Sequence, residues 1–279
     1  MADCAVPPRA VPPAAATPAR CVVVVPIYTT ALGPEDRLSL RRSLRMLGRH
    51  PLAIVCPDGL DLSPLQPLLA AASPRIERFA AAFFAGVEGY NRLMLSASFY
   101  RRFAGFDYLL ICQTDVYVFA DRLDEWVGRG HDYIGAPWIA SPRHGWNRAL
   151  QRFTNLFRAV DKQEAHYFRV GNGGFSLRRV ATMQRITEDQ KDAIAQMLAA
   201  PRPDNLHIED KYFSLVAPAR YPDMRIPDHR EAVDFCIDRR PALALALNGG
   251  RLPFACHGFN KRNVRKFWQP IIAAAEEAA

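Results

Sequence analysis

Four short stretches place reactive side chains where chemistry could use them. The apolar run Tyr108-Leu109-Leu110-Ile111-Cys112 stops at Gln113-Thr114-Asp115. Such a run fits a strand buried on both faces of a parallel sheet, and its C-terminal end is where open α/β sheets bind ligands. There Asp115 either holds a divalent cation through its oxygens or caps the next turn. His207-Ile208-Glu209-Asp210-Lys211 sets two adjacent carboxylates at the start of a helix. The helix dipole favours their ionised form, so one can serve as a general base, and paired acids also occur there as plain capping groups. Pro253 to Lys261 sets His257 after an apolar strand and before Gly258, as a metal ligand or as a structural histidine. The fourth stretch, Val170-Gly171-Asn172-Gly173-Gly174-Phe175, marks backbone that turns tightly or approaches a ligand closely. It has neither the G-x-G-x-x-G spacing of a dinucleotide site nor a Walker-type Gly-Lys-Ser/Thr.

The elements that must position these residues can be read from periodicity. Cys21 to Val25 is a β-branched run ended by Pro26, the pattern of a first, central strand, with Tyr28 just past its end on the ligand side. Leu40, Leu44 and Leu47 recur with helical spacing, so Arg37 to His50 is an amphipathic helix, and Leu52 to Cys56 a second strand. Strand, helix, strand is the signature of a βαβ crossover. Arg37, Arg41, Arg45 and Arg49 form a basic stripe on that helix, a solvated face or one that lies on anionic lipid. Ser63 to Ala72 is expected as a short helix and Arg75 to Phe79 as a third strand. A helix opening at Gly89-Tyr90-Asn91 leads into the central strand, with Asn91 as its N-cap or as an amide that reads a base or phosphate. Val116 to Phe119 reads as a short strand, Leu123 to Trp126 as a helical turn, and Asp132 to Trp138 as an apolar segment ending in an aromatic that stacks on a ligand or fills core. Ser141 to His166 is expected as a long loop carrying acceptor specificity, and Val180 to Ala200 as one long helix ended by Pro201 and Pro203.

The chain has 279 residues, of which 49% are hydrophobic, enough for a substantial core and compatible with one large α/β domain. Residues 1 to 20 are rich in proline and alanine and are expected to be an extended, dispensable tail. Phe79 to Val87 and Ala242 to Leu247 are too short for a membrane span, and no cleavable leader opens the sequence. Cys4, Cys21, Cys56, Cys112, Cys236 and Cys256 form no C-x-x-C pair and are expected to be reduced core residues of a cytoplasmic protein. The formal net charge of +8 favours anionic partners such as nucleotides, phosphorylated lipids, membrane surfaces or nucleic acid, without choosing among them. A peripheral place at the inner face of the membrane is expected. The basic residues are dispersed and not interleaved with aromatics in any nucleic-acid motif, which argues against nucleic acid as a partner.

Taken together, these residues resemble the GT-A class of nucleotide-sugar-dependent glycosyltransferases, and more closely DUF5672, a family of GT-A-like proteins. The resemblance is carried, in order, by Gly89 to Met94, Leu110 to Phe119, Asp132 to Trp138, Gly171 to Arg178, Glu209-Asp210 and His257 to Asn260. It implies a single Rossmann-like GT-A domain over residues 21–279 with a mostly parallel central sheet flanked by helices. The donor half would span about 21–120 and the acceptor half about 121–279. In GT-A enzymes a D-x-D motif follows the central strand and its last Asp binds a metal, Mn²⁺ or Mg²⁺, that neutralises the diphosphate. Asp115 matches that position, and Gln113 stands where the first Asp usually is. His257 would match a second metal ligand, and Glu209-Asp210 looks like the pair whose Asp is the base of inverting members. Tyr28, Asn91, Gln113, Asp115, Asn172, Gly173 and Gly174 would contact the nucleotide-sugar donor. Lys261, Arg262, Arg265 and Lys266 would neutralise phosphate or face anionic lipid. The expected activity is hexosyl transfer to a glycan or lipid-linked acceptor in polysaccharide biosynthesis.

The rival from another class is a nucleotide- or glycan-binding module without turnover, suggested by Gln113 in place of an acid. An aspartyl-phosphate hydrolase would also place an acid like Asp115 after a strand, but Tyr117 stands where its second acid often falls.

Overall fold

The computed structural model describes residues 19–140, 167–200 and 207–278. The expected tail, the loop of residues 141–166 and the prolines at 201 and 203 lie outside them, apart from Ala19 and Arg20. Arg20 is bound to the domain: its N–H donates to Asp107 Oδ2 at 2.7 Å, and its carbonyl accepts from Asp107 and Tyr108.

The main sheet has six strands: β1 (Cys21–Pro26), β2 (Leu52–Pro57), β3 (Arg75–Phe79), β4 (Tyr108–Cys112), β6 (Tyr133–Gly135) and β7 (Phe175–Arg179). Their order across the sheet is β3-β2-β1-β4-β7-β6. The pairs β1–β2, β2–β3 and β1–β4 are parallel, whereas β7 runs antiparallel to both β4 and β6. This is the expected mostly parallel sheet. The apolar runs follow from burial on both faces. Val23, Val25, Ile54 and Leu110 pack with Leu40 and Leu47 of the Pro34–Leu47 helix on one side. Val22, Val24, Leu109 and Ile111 pack with Leu93, Phe99 and Tyr100 on the other. Each large apolar side chain so removed from water contributes about 1.5–3 kcal/mol. Proline at Val23 would break the sheet, because the Val23 N–H reaches Pro51 O at 2.8 Å.

The remaining strands, β5 (Val116–Val118), β8 (Cys236–Ile237) and β9 (Ala255–His257), form a second sheet in the order β5-β9-β8. Tyr117, Ile237, Cys256 and Phe259 pack with Trp268 and Ile272 of the Arg265–Glu277 helix. Tyr117 also donates to Glu276 Oε1 at 2.6 Å.

The basic stripe is exposed, as a solvated face would be: Arg37, Arg41, Arg45 and Arg49 all reach solvent, and two of them also pair, Arg45 with Glu276 at 3.2 Å and Arg49 with Asp121 and Asp124. Two expectations need correction. The helix expected to open at Gly89 begins at Gly86. Gly89 lies inside it, where a Cβ would press within 2.6 Å of Ala82 O, so this glycine serves close packing. The long helix from Val180 is two, Val180–Asp189 and Lys191–Ala199. Thr187 Oγ1 bonds back to Met183 O at 2.8 Å, a contact that bends helices, and Gln190 then leaves helical geometry at φ −103°, ψ 17°. Met183, Ile186 and Ile194 are buried and Met197 is partly buried. The five described cysteines are free and buried, and burial pushes the Cys112 thiol up to about 12.

Candidate active site

A cleft of about 410 Å³ lies beyond the C-terminal ends of β1 and β4. Tyr28 lines it from the end of β1, Asn91 from the Gly86–Met94 helix and Gln113 from the end of β4. Asn172 to Gly174 enter from the approach to β7, Glu209 and Asp210 from the Glu209–Lys211 turn, and His257 from β9. Asp115 stands 3.1 Å from His257, so the structure brings every expected site residue to one place.

The small sheet aligns one wall. Val116 pairs with His257 across β5 and β9, and the Gly258 N–H bonds to Asp115 O at 2.8 Å. His257 Nε2 lies 3.1 Å from Asp115 Oδ1, and its Nδ1 lies 3.2 Å from Asp238 Oδ1. Lys261 Nζ is 3.7 Å from Asp115 and 3.8 Å from Asp238. Burial pushes the His257 imidazolium down, but the two carboxylates outweigh it and raise the group to about 9. Burial alone would push both carboxyls up. Contact with His257, its charge and that of Lys261 hold Asp115 and Asp238 below the usual range.

These residues fit a divalent cation shared with a phosphate ligand. Asp115 Oδ1 is buried without a hydrogen-bonding partner although His257 Nε2 is 3.1 Å away, so the two donors are close but not aligned on each other. Ligands on adjacent vertices of an octahedron with bonds of about 2.1 Å are separated by about 3 Å. Carboxylate oxygen and imidazole nitrogen suit Mn²⁺ or Mg²⁺. Among the described residues no group of three His, Cys, Asp or Glu could hold a metal ion. The remaining ligands would then be diphosphate oxygens and water, the usual pattern for Mg²⁺.

The opposite wall is built around Arg178, which is fully buried. Its Nη2 lies 3.0 Å from Glu209 Oε2, its Nη1 donates to Tyr100 Oη at 3.0 Å, and its Nε donates to Ser176 Oγ at 3.0 Å. Burial, opposed by the Arg178 charge, pushes Glu209 up to about 7. Burial also pushes Asp210 up, against the backbone N–H of Lys211 and the charges of Lys211 and Arg178. Both acids line the cleft, but Asp210 is half-buried whereas Glu209 is buried against Arg178.

Asn91 is neither the N-cap of its own helix nor exposed. It is 2% exposed, and its Oδ1 accepts the Glu209 N–H at 3.2 Å, capping the acid-bearing turn. The glycine stretch resolves in the same spirit. Asn172 takes the left-handed turn at φ 58°, while the glycines make room for side chains. A Cβ at Gly171 would strike Trp138, one at Gly173 Glu209, and one at Gly174 His257. Trp138 is buried, filling core at Gly171. Tyr28, 37% exposed, sits edge-on to Phe84 at 5.7 Å and offers a face at the mouth of the cleft.

Sequence reasoning missed Asp238 as a site residue and did not see Arg178 as a partner of Glu209. Asp238 follows the apolar Phe235-Cys236-Ile237 as Asp115 follows β4, and that signal could have found it.

A family model described as protein of unknown function (DUF5672) matches residues 73–257. No curated protein matches the sequence. Among solved structures, the chain is similar to the galactosyltransferase LgtC in complex with donor and acceptor sugar analogues. Identity is 13%, coverage 85% of this chain and 86% of that one, and the TM-score 0.52. For an active-site mutant of LgtC the figures are 14%, 85%, 86% and 0.50. For the apo-form glycosyltransferase GlyE of Streptococcus pneumoniae TIGR4 they are 11%, 86%, 54% and 0.46. At such identities the likeness to LgtC is one of fold, and the fold is that of GT-A glycosyltransferases.

Proposed function

The chain belongs to the DUF5672 family, and on that premise we propose that it is a nucleotide-sugar-dependent glycosyltransferase. It moves a hexosyl group to a hydroxyl of a glycan or lipid-linked acceptor, with inversion and with the help of Mn²⁺ or Mg²⁺. The observation that carries this reading is the meeting of Asp210 with the Asp115–His257 pair around one cleft at the ends of β1 and β4. In α/β sheets of this kind that edge is the ligand edge.

Tyr28 offers an aromatic face to the nucleotide. Asp115 and His257 would hold the cation, which supplies Lewis-acid stabilisation of the departing diphosphate. Lys261 brings a further positive charge to the same oxygens. Asp210 accepts the proton of the acceptor hydroxyl as its oxygen bonds to the anomeric carbon, and the bond from that carbon to the diphosphate breaks. Burial, which raises the Asp210 carboxyl, makes it a stronger base than a solvated aspartate. A peripheral contact with anionic membrane at its cytoplasmic face belongs to the same reading, through exposed Arg41, Arg262 and Lys266.

The test is release of nucleoside diphosphate from a panel of nucleotide-sugars, with and without Mn²⁺, with NMR of the product's anomeric centre. Asp210→Asn is expected to keep donor binding and lose about 10²-fold in turnover, with Glu209→Gln costing less. Near-normal turnover of Asp210→Asn, or retained configuration, overturns the base assignment. Should a nucleotide-sugar raise the melting temperature while none is turned over, the chain is a binding module of GT-A fold.

A further inference from the structure

β8 is only two residues long, and its pairing shows what it positions. Its parallel register sets Cys236 beside Ala255 and Ile237 beside Cys256. The next step of that register brings Asp238 beside His257, the last residue of β9. Asp238 is buried at 6% exposure, and its Oδ1 lies 3.2 Å from His257 Nδ1. The other ring nitrogen faces Asp115 at 3.1 Å. Arg239 Nε at 3.5 Å and Lys261 Nζ at 3.8 Å are the cations beside Asp238.

We propose that Asp238 is a positioning residue that accepts the Nδ1 proton of His257 and so leaves the Nε2 lone pair turned toward Asp115 and the cleft. The proposal rests on the reading of Asp115 and His257 as the cation-holding pair. A ring carrying one proton between two carboxylates has two tautomers. Asp115 alone would draw the proton onto Nε2 and close the nitrogen that a cation needs. Asp238 competes for that proton from the far side of the ring. Its advantage is alignment: Nδ1 and Asp238 Oδ1 are in hydrogen-bonding geometry at 3.2 Å, whereas Asp115 Oδ1 has no hydrogen-bonding partner although Nε2 lies 3.1 Å away. A carboxylate behind a ligating histidine also makes the histidine a stronger donor, and removing such a partner typically weakens metal affinity about 10–100-fold.

The test has two arms. In metal-free protein labelled with ¹⁵N-histidine, at a pH where the ring carries a single proton, long-range ¹H–¹⁵N spectra read which nitrogen holds it. Wild type is expected to show Nδ1–H, and Asp238→Ala a shift to Nε2–H. Should Asp238→Ala fail to fold, Asp238→Asn keeps the volume, and its amide can donate to Nδ1, giving the same shift. The second arm is Mn²⁺ titration of wild type, Asp238→Ala, His257→Ala and the double variant. Asp238→Ala is expected to bind Mn²⁺ about 10–100-fold more weakly, and to add nothing in the His257→Ala background. Bare Nδ1 in wild type, an unchanged tautomer in both Asp238 variants, or a full Asp238 effect without His257 would overturn the proposal. If wild type binds no Mn²⁺, the cation reading falls by itself and the NMR arm still decides the role of Asp238.

Discussion

On one wall of the cleft Asp115, His257, Asp238 and Lys261 line up across neighbouring strands, whereas on the other a single guanidinium, Arg178, is enclosed with Glu209 among tyrosines. The row is held by backbone register, and its members share partners, so deleting one leaves the others paired. The enclosed pair has no such redundancy. Tyr100, Ser176, Tyr133 and Phe213 surround Arg178, and Glu209 is the acid that balances it. In the proposed function the row would serve the ligand, whereas the pair is a buried clasp inside the domain.

The largest expected effect tests the clasp. Arg178→Met leaves Glu209 buried without its cation, and removing one partner of a buried ion pair typically costs about 3–5 kcal/mol. Urea denaturation should show a loss of that order for Arg178→Met, with part of it regained in Arg178→Met/Glu209→Gln, where no charge is stranded. A loss below about 1 kcal/mol would mean that the two walls do not differ in kind.

The same contrast explains how much was legible in the sequence. Asp115, His257 and Glu209-Asp210 each follow or open a recognisable local pattern, so chain order alone marks them. The sheet was legible because β1, β2 and β4 are continuous apolar runs buried on both faces. Arg178 was not, since an arginine at the end of a strand ordinarily reads as surface. Its enclosure depends on tyrosines from two distant segments, Tyr100 and Tyr133. Asp238 does follow an apolar run, Phe235-Cys236-Ile237, but the run is brief and split between the end of a helix and a two-residue strand, so it is easily passed over. Asn91 stands out in the sequence as a cap for its own helix or a reader of base and phosphate. The group it caps instead, the Glu209 N–H, lies 118 residues away, beyond the reach of any local pattern.

A second, smaller effect separates the walls by pH. Glu209 is raised from 4.5 to about 7, so the native state holds its proton where the unfolded chain has lost it. Its contribution to stability is complete below pH 4.5 and is lost as pH rises through about 7. Asp115 and Asp238, held below 3.8, act with the opposite sign, contributing above that value and losing it only in stronger acid. His257, raised from 6.5 to about 9, loses its contribution as pH rises through about 9. Subtracting the stability of Glu209→Gln from that of wild type isolates the clasp. The difference should fall between about pH 5 and pH 8, by a few kcal/mol at most. A flat difference would show that Glu209 stays ionised beside Arg178 throughout.

The smallest change in stability, with the sharpest change in binding, is expected for Asp115→Ala. Its side chain is 24% exposed, and its Oδ1 has no hydrogen-bonding partner to lose. After truncation His257 keeps Asp238, Lys261 keeps Asp238 at 3.8 Å, and the Gly258 N–H still bonds to the carbonyl of residue 115. The cost should therefore stay below about 1 kcal/mol. What disappears is the donor oxygen beside His257 Nε2, and with it the metal-dependent part of nucleotide binding. A nucleoside diphosphate at 100 times its Kd stabilises wild type by about 2.7 kcal/mol. In a thermal-shift titration the Mn²⁺-dependent share of that gain should vanish for Asp115→Ala while the ligand-free melting temperature hardly moves. If the variant binds nucleotide with unchanged affinity and unchanged metal response, Asp115 is a turn residue. If it loses several kcal/mol without ligand, the row is as structural as the clasp, and the contrast between the walls fails from the other side.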